Sequence, residues 1–235
     1  MLTLLALGCI SSSTTMSGAI MDGPDSTAAV PDTAITIRSA GGSEWDAVTA
    51  DATGSFEVTV PSHALFYLSA EAEGFRTTVF TGASDDAPVV VDDGTLWMRT
   101  EADIETLIAD FGDCAAEESA NGGGVIEGEI RLQVFESSEV NDFPIVTTAA
   151  VLAYTESGVP YTACYLDSEG NPSIDAVSTG ETGRFAVFGV PSGLISLQIR
   201  YDYGGPEEQE DWYPLYMPDD GTVPMWPALV SMPTW

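Results

Sequence analysis

The side chains best suited to chemistry lie in an acidic stretch of the second half of the chain. Oxygen-bearing residues fall there at near-alternate positions: Asp167, Glu169, Asn171 and Asp175. Carboxylate and amide oxygens are the ligands that calcium takes in proteins, so this spacing suggests a cation-binding loop. An EF-hand would have glycine and glutamate where this sequence has Pro172 and Ser178, so the match is partial.

Turn formation is the alternative role for these residues, since Asp, Asn and Gly are the usual turn formers. Two shorter acidic turns, Asp92-Asp93-Gly94 and Asp219-Asp220-Gly221, lie near the ends of the two halves of the chain. Either these loops bind calcium weakly, in the millimolar range of extracellular modules, or they only reverse the chain direction. The sequence leaves both readings open.

Catalytic constellations are scarce in this sequence. His63, directly after Pro61-Ser62, is the one histidine, and the chain has no lysine. Neither His-Glu-x-x-His nor Gly-x-Ser-x-Gly occurs, so zinc hydrolysis and triad chemistry lack their parts. We therefore predict that His63 is an exposed turn residue and that the chain is not an enzyme. A site built from a pair among the 37 acidic residues is the remote alternative.

A short apolar run at residues 1–8 ends directly before Cys9. The run is much too short to cross a membrane. It resembles the end of a bacterial signal peptide with a lipobox, in which the residue corresponding to Cys9 is cleaved free and lipidated. The resemblance implies a lipid anchor, with residues 1–15 as signal remnant and Ser/Thr-rich tether. A chance cysteine in a frayed terminus is the alternative.

Two stretches of the chain share one pattern and organise the rest. Residues 46–62 and 175–192 both contain an Asp-Ala-Val opening, a Thr-Gly turn, a Phe-x-Val strand and a Val-Pro-Ser end. The second stretch has one extra glycine. A shared strand-turn-strand unit at two places indicates two copies of one module.

Short β-rich runs separated by turn residues surround both stretches. Phe56, Val58 and Val60 alternate with polar residues, which predicts strands with one buried and one wet face. We predict an all-β chain with two small antiparallel sandwiches, at residues 16–100 and 125–235. Longer inserts near 135–145 and 155–174 distinguish the second copy, and a distinct function would lie there.

The hydrophobic period changes between the two sandwiches. Ile104, Leu107, Ile108 and Phe111 recur at helical spacing after Thr100, a good N-cap, and a run of glycines at 122–124 ends the pattern. Residues 101–124 are thus predicted to form one amphipathic linker helix that packs on one or both sandwiches.

Two further cysteines, Cys114 in this helix and Cys164 in the second sandwich, form an even pair. In an oxidising compartment they would form a disulfide that ties the helix to the second sandwich. Both would otherwise serve as small buried hydrophobic residues.

The repeated motifs resemble the carboxypeptidase regulatory-like domain, whose pattern includes a Thr-Asp-x-x-Gly-x-Phe turn, a Pro-x-Gly turn and a later Gly-Phe. Residues 50–56 match the first element with Ala50 in place of Thr, and Gly74-Phe75 match the last. In the second copy residues 179–185 match with Gly180 in place of Asp, and residues 191–193 complete the Pro-x-Gly turn. The resemblance implies a transthyretin-like (prealbumin-like) seven-stranded sandwich in each copy, and no catalytic residues.

The net charge of −31 arises from 37 acidic residues against six arginines. Such a surface repels phosphate backbones, so nucleic acid is excluded as a partner. Salt adaptation, cation attraction and plain solubility each explain the acidity. We expect a non-catalytic, lipid-anchored, extracytoplasmic module at the outer membrane or cell surface that binds a protein or a glycan. A calcium-dependent binding module is the alternative, with calcium as the one cofactor considered.

Overall fold

The computed structural model describes residues 12–24, 26–91, 96–120, 122–133, 143–167, 169–202 and 208–231. Within these ranges the chain is mostly β, with one α-helix between two groups of strands. This confirms the fold class predicted from the sequence at the level of an all-β chain with one helix. No helix in the described part of the chain is both long enough and apolar enough to cross a membrane.

The first half, before the helix, contains eight strands: β1 Ser13–Asp22, β2 Ala34–Ser39, β3 Glu44–Thr49, β4 Ser55–Pro61, β5 Leu65–Glu71, β6 Thr78–Ala83, β7 Val89–Val90 and β8 Leu96–Met98. The helix α1 is Glu101–Ser119. The second half contains nine strands: β9 Gly124–Gln133, β10 Ala150–Thr155, β11 Pro160–Thr162, β12 Cys164–Leu166, β13 Pro172–Ser173, β14 Arg184–Val190, β15 Gly193–Tyr201, β16 Gln209–Met217 and β17 Thr222–Ser231.

Three sheets result from these strands. One has the order β4-β1-β7, with β8 also paired to β1, and a second has the order β11-β10-β15-β16. The third has nine strands in the order β13-β12-β14-β9-β17-β6-β5-β2-β3, so it contains strands of both halves. The strand β17 makes this connection, because it pairs with β9 along most of its length and with β6 at Thr222 and Thr78.

Parallel pairing corrects the expectation of purely antiparallel sandwiches. β1 is parallel to β7 and β8, and β17 is parallel to β9 and β6. The hydrophobic periodicity of a strand shows which face is buried but not whether the neighbouring strand is parallel or antiparallel, so it could not predict these pairings. β1 also begins at Ser13, opposite Pro61, and not after the predicted tether at 1–15.

Each half has its own apolar core. Phe56, Val58 and Val60 are all buried, as their alternation predicted, and they pack with β1, β2 and β5. A larger core in the second half contains Phe185 and Val187 of β14 together with residues of β9, β10, β15 and β17. Tyr67 and Val79 of the first half also belong to this second core.

The repeated turns have matching backbone geometry. Gly54 and Gly183 both have positive φ, of 72° and 66°. The carbonyl of Gly54 accepts a hydrogen bond from Ile20 N at 3.0 Å, and the carbonyl of Gly183 accepts one from Ile130 N at 3.0 Å. Each glycine therefore joins its turn to the first strand of its own half.

The hydrogen bonds around these turns also match between the halves. Val30 N donates to the carbonyl of Ile20 and Val146 N donates to that of Ile130, each at 2.9 Å. The close approach leaves no room for a side chain, because a Cβ at Gly54 would lie 2.6 Å from the Ile20 oxygen. Glycine is thus required at this position by both the backbone conformation and the packing.

Gly54→Ala should lower the free energy of unfolding by about 2 kcal/mol or more, because alanine adds left-handed strain of about 1–2 kcal/mol to the clash with Ile20. Gly42→Ala is the matched control. Gly42 also has positive φ, of 83°, but nothing lies within 4 Å of its added Cβ. Urea unfolding of both variants measures the difference, and equal losses would contradict the packing argument.

The helix begins as predicted and packs on the second half. Thr100 and Asp103 form a capping box, in which each side chain accepts from the backbone N–H of the other. Phe111 packs against Phe188 at a ring distance of 6.0 Å. The helix is interrupted at Gly112, with φ 61° and ψ −141°, where the sequence predicted one continuous element. A Cβ at Gly112 would lie 2.7 Å from Pro172, so the break lets the helix approach β13.

Two side-chain links fasten the segment between the halves to the second half. Cys114 and Cys164 form a disulfide that joins α1 to β12 across a sequence separation of 50. Arg99, just before α1, forms a bidentate ion pair with Glu127 of β9 at 2.5 and 2.7 Å. Glu127 is 3% exposed, and the Arg99 guanidinium lies 4.9 Å from the Trp97 ring centroid.

Candidate functional site

Aromatic side chains lie on the outer face of the sheet β11-β10-β15-β16. Alternate residues of β16 point in opposite directions, so Leu215 and Met217 are buried while Trp212, Pro214 and Tyr216 are exposed. Trp212 is 50% exposed and Tyr216 is 40% exposed. Contiguous exposed apolar patches often mark binding sites, and Trp212, Pro214 and Tyr216 form one exposed row along β16.

Hydrogen bonds hold the rings of this face in place. The Tyr154 hydroxyl donates to Gln198 Oε1 at 3.4 Å, and Gln198 Nε2 donates to Glu210 Oε2 at 2.8 Å. Trp212 Nε1 donates to the other oxygen of Glu210 at 3.3 Å. The Tyr154 and Trp212 rings are 5.7 Å apart with 36° between their planes. We call Tyr154, Gln198, Glu210 and Trp212 the aromatic platform.

A groove of about 500 Å³ lies at the join of the two halves, beyond the end of the aromatic platform. Arg38, Tyr67 and Glu71 of the first half line it together with Tyr216 and Asp219 of the second. The Tyr67 and Tyr216 rings are 6.0 Å apart at 45°. Burial raises the pKa of Tyr67, so its hydroxyl stays protonated at neutral pH. We call this feature the tyrosine groove.

Arg38 stands apart from the other arginines of the chain. Four of the others pair with carboxylates and one lies over an aromatic ring: Arg76 with Glu101, Arg99 with Glu127, Arg131 with Glu129, Arg200 with Glu208, and Arg184 over Phe111. In the described part of the chain, Arg38 has no ion-pair, hydrogen-bond or ring partner. An exposed cation without a partner in so acidic a protein is available to a ligand.

A second cavity, of about 520 Å³, lies where β6 and β17 diverge. Apolar side chains such as Phe66, Phe80 and Met225 line it, and no charged residue does so among the described lining residues. Binding sites usually combine apolar surface with a few polar groups that fix the ligand's orientation, and the tyrosine groove has charged groups for this role while the described lining of this cavity has none. The tyrosine groove and the aromatic platform are therefore the better candidate sites.

The predicted calcium loop serves as a turn in this structure. Asp167 accepts backbone hydrogen bonds from Glu169 at 2.8 Å and Asn171 at 2.9 Å, and the bond from Asn171 is the main cause that lowers the pKa of Asp167. The carboxylates of Asp167, Glu169 and Asp175 do not gather as a group of three ligands in the described ranges. Calcium binding by this loop stays a prediction.

Three potential metal-binding side chains do gather elsewhere, at His63, Asp85 and Asp86. Both aspartate carboxylates lie 3.2 Å from the imidazole, and all three side chains are exposed. His63 has a positive φ of 55° in the turn after β4, in agreement with its prediction as an exposed turn residue.

The remaining predicted residues have mixed outcomes. Cys9, Asp92-Asp93-Gly94 and most of the insert at 135–145 lie outside the described residues. Asp219-Asp220-Gly221 forms the turn between β16 and β17, where Asp220 Oδ1 accepts from Gly123 N at 3.2 Å. Asp219 of this turn lines the tyrosine groove, which sequence reasoning did not predict.

Comparison with known proteins supplies no family. No family model matches the chain, and no curated protein matches it at a significant level. Solved structures with some similarity include the minor pilin GBS52 of Streptococcus agalactiae, at 8% identity, 94% of this chain, 97% of that chain and a TM-score of 0.31. The Bacillus anthracis TIE protein has 13% identity and a TM-score of 0.32 over 93% of this chain, which spans about a third (34%) of its length.

A candidate carbohydrate-binding protein of Bacteroides uniformis is similar over 87% of this chain and 99% of its own, at 11% identity and a TM-score of 0.29. All three neighbours are named as pilin, TIE or carbohydrate-binding proteins. TM-scores this low do not establish a shared function. The function is therefore inferred from the geometry of the aromatic platform and the tyrosine groove.

Proposed function

We propose that this chain is a non-catalytic cell-surface module that binds a carbohydrate through the aromatic platform. The observation that carries the proposal is the half-exposed ring of Trp212, held beside Tyr154 on an open sheet face. A sugar ring has an apolar C–H face and polar hydroxyl edges. An aromatic ring can pack against the C–H face, and side-chain amides and carboxylates can form hydrogen bonds with the hydroxyls.

Pre-organisation supports this proposal. Glu210 and Gln198 fix the two rings through hydrogen bonds before any ligand arrives, so little side-chain entropy is lost on binding. Glu210 is exposed, and its carboxylate has lone pairs left for sugar hydroxyls. The platform is open along the sheet, which suits a chain of several sugar units better than a single small molecule.

We propose further that the two halves are tandem copies of one transthyretin-like module. The matched hydrogen bonds at Gly54 and Gly183 support this reading. An extracytoplasmic location, with Cys9 as a lipid-bearing residue, belongs to the same proposal. The disulfide of Cys114 and Cys164 supports that location, because disulfides persist in oxidising compartments.

Trp212→Ala should weaken carbohydrate binding about 30-fold, since truncating an interface tryptophan typically costs about 2 kcal/mol or more. Titration calorimetry with hexasaccharides of glucose, mannose, galactose and xylose measures the affinity. Trp212→Phe retains a ring and should recover most of the binding. Val177→Ala removes apolar surface from a residue that is 80% exposed outside the platform, and it should change nothing.

Unchanged melting temperatures establish that the variants are folded. The proposal is overturned if none of the hexasaccharides binds, or if Trp212→Ala binds as well as the native chain. A protein ligand that depends on Trp212, in the absence of any bound hexasaccharide, would also overturn it, because the platform would then be a protein interface.

A further inference from the structure

We infer that the tyrosine groove is a second subsite for the same ligand. It binds an uncharged, hydroxyl-rich sugar unit, with Arg38 as the hydrogen-bond donor. This inference rests on the proposed function. It adds to the proposed function that the ligand is uncharged and that the first half of the chain contributes to its binding.

Position connects the groove to the aromatic platform. Trp212 and Tyr216 lie on the same face of β16, four residues apart, which is about 13 Å along a strand. Tyr216 also lines the tyrosine groove, so the exposed face of β16 leads from one feature into the other. A ligand that extends along β16 from Trp212 therefore reaches the groove with a later unit.

The first half of the chain supplies the other wall of the groove. Arg38 of β2 and Tyr67 of β5 are directly opposite each other in the sheet, so both side chains lie on one face. Glu71 lies on the same face, four residues after Tyr67. The site is complete only when both halves are in place, because Tyr216 and Asp219 come from the second.

The polar groups of the groove suit hydroxyls better than any single charge. Arg38 offers N–H donors without a competing partner, while Glu71 and Asp219 are exposed acceptors. A sugar hydroxyl donates and accepts at once, so different hydroxyls of one ligand can use the donors and the acceptors. The Tyr216 ring, which is 40% exposed, provides the apolar contact surface, and the buried Tyr67 ring packs beside it at 6.0 Å.

Charge decides between a neutral and an acidic sugar. The groove has two carboxylates against one guanidinium, and the whole chain has a net charge of −31. A uronic acid would gain the Arg38 pair but would meet repulsion from Glu71, Asp219 and the overall field. A neutral unit meets no such repulsion, so its binding should be nearly independent of salt.

The test uses the full chain, the four neutral hexasaccharides and hexagalacturonate as the charged counterpart. Arg38→Ala should weaken binding of the hexasaccharide that depends on Trp212 by about tenfold or more, since hydrogen bonds from a charged donor are stronger than those between neutral groups. Gln133→Glu changes the net charge by the same amount at an exposed site outside the groove and should have no effect. The neutral ligand's affinity should change less than about twofold between about 0.05 and 0.5 M NaCl.

Three other outcomes would each overturn part of this inference. If Trp212→Ala weakens binding while Arg38→Ala behaves like Gln133→Glu, the groove is not a subsite and the proposed function stands. If hexagalacturonate binds through Arg38 and salt weakens it, the ligand is not neutral. If neither Trp212→Ala nor Arg38→Ala changes the affinity of a bound hexasaccharide, the inference and the proposed function fall together.

Discussion

Replacing Cys114 and Cys164 by serine should lower the free energy of unfolding by up to about 4 kcal/mol. The disulfide closes a loop with a sequence separation of 50. In the chain-entropy model, opening a loop of that size returns about 4 kcal/mol of conformational entropy to the unfolded state. The variant should still fold, because the core beneath α1 retains its apolar contacts. The lost stability should therefore appear in urea unfolding as a lower midpoint.

Cys9→Ser is the matched control for this variant, because it replaces a cysteine by serine without opening the disulfide. Reductant should destabilise the native chain and Cys9→Ser by the same amount, and it should leave the double variant unchanged. Mass spectrometry with and without reductant identifies the bond directly. A double variant as stable as the native chain would contradict the stabilising role of the disulfide.

Arg99→Met should cost about 3–5 kcal/mol at pH 7.5, the usual effect of removing one partner of a buried ion pair. The remaining partner, Glu127, is 3% exposed, so a charge on its carboxylate would lie uncompensated in the core. Methionine retains part of the packing over Trp97, so the loss reports mainly on the charge. Urea unfolding measures it. Arg76→Met is the matched control, because its partner Glu101 is exposed, and it should cost less than about 1 kcal/mol.

The pH dependence of this loss follows from Glu127. Burial raises the pKa of Glu127, and the hydrogen bonds and charge of Arg99 oppose that rise. A carboxyl with a raised folded-state pKa stabilises the fold below its unfolded-state pKa, and this stability is lost as pH rises through the folded-state value. Without Arg99 this opposition is lost and the pKa of Glu127 rises further, so a larger fraction of Glu127 is protonated as the pH falls.

Arg99→Met should thus lose less stability at pH 5 than at pH 7.5. Adding Glu127→Gln should restore part of the loss at pH 7.5 and remove most of its pH dependence. Equal losses at both pH values, or no recovery in the double variant, would show that Glu127 is not the uncompensated charge.

The local parts of the fold were predictable because their signals are local. The turn at Gly54 and its counterpart at Gly183 follow from short motifs whose glycines have positive φ. The N-terminus of α1 follows from Thr100 and the acidic residue three positions later. The break at Gly112 was missed, although a glycine inside a helical pattern is a known weak point.

The pairing of distant strands was not predictable from periodicity. β17 joins β9 and β6 in parallel, and nothing in the residues from 222 to 231 names those partners. The candidate site depends on this join, because Arg38 and Tyr67 meet Tyr216 only when the halves pack. The aromatic platform had only a partial signal. Residues 212–217 are rich in aromatic side chains, but all six are apolar or aromatic, so the sequence did not show that Trp212 and Tyr216 face outward.

The late position of β17 has a consequence for the order of events during synthesis. Thr78 and Thr222, which share a hydrogen bond of 2.8 Å at the join, are 144 residues apart. At a synthesis rate of about 5–20 residues per second, Thr222 is added roughly 7 to 30 s after Thr78. Until β17 pairs with it, β6 has an unpaired edge, which can pair with another copy of the chain. The seconds between β6 and β17 are therefore when a nascent chain is most exposed to wrong association.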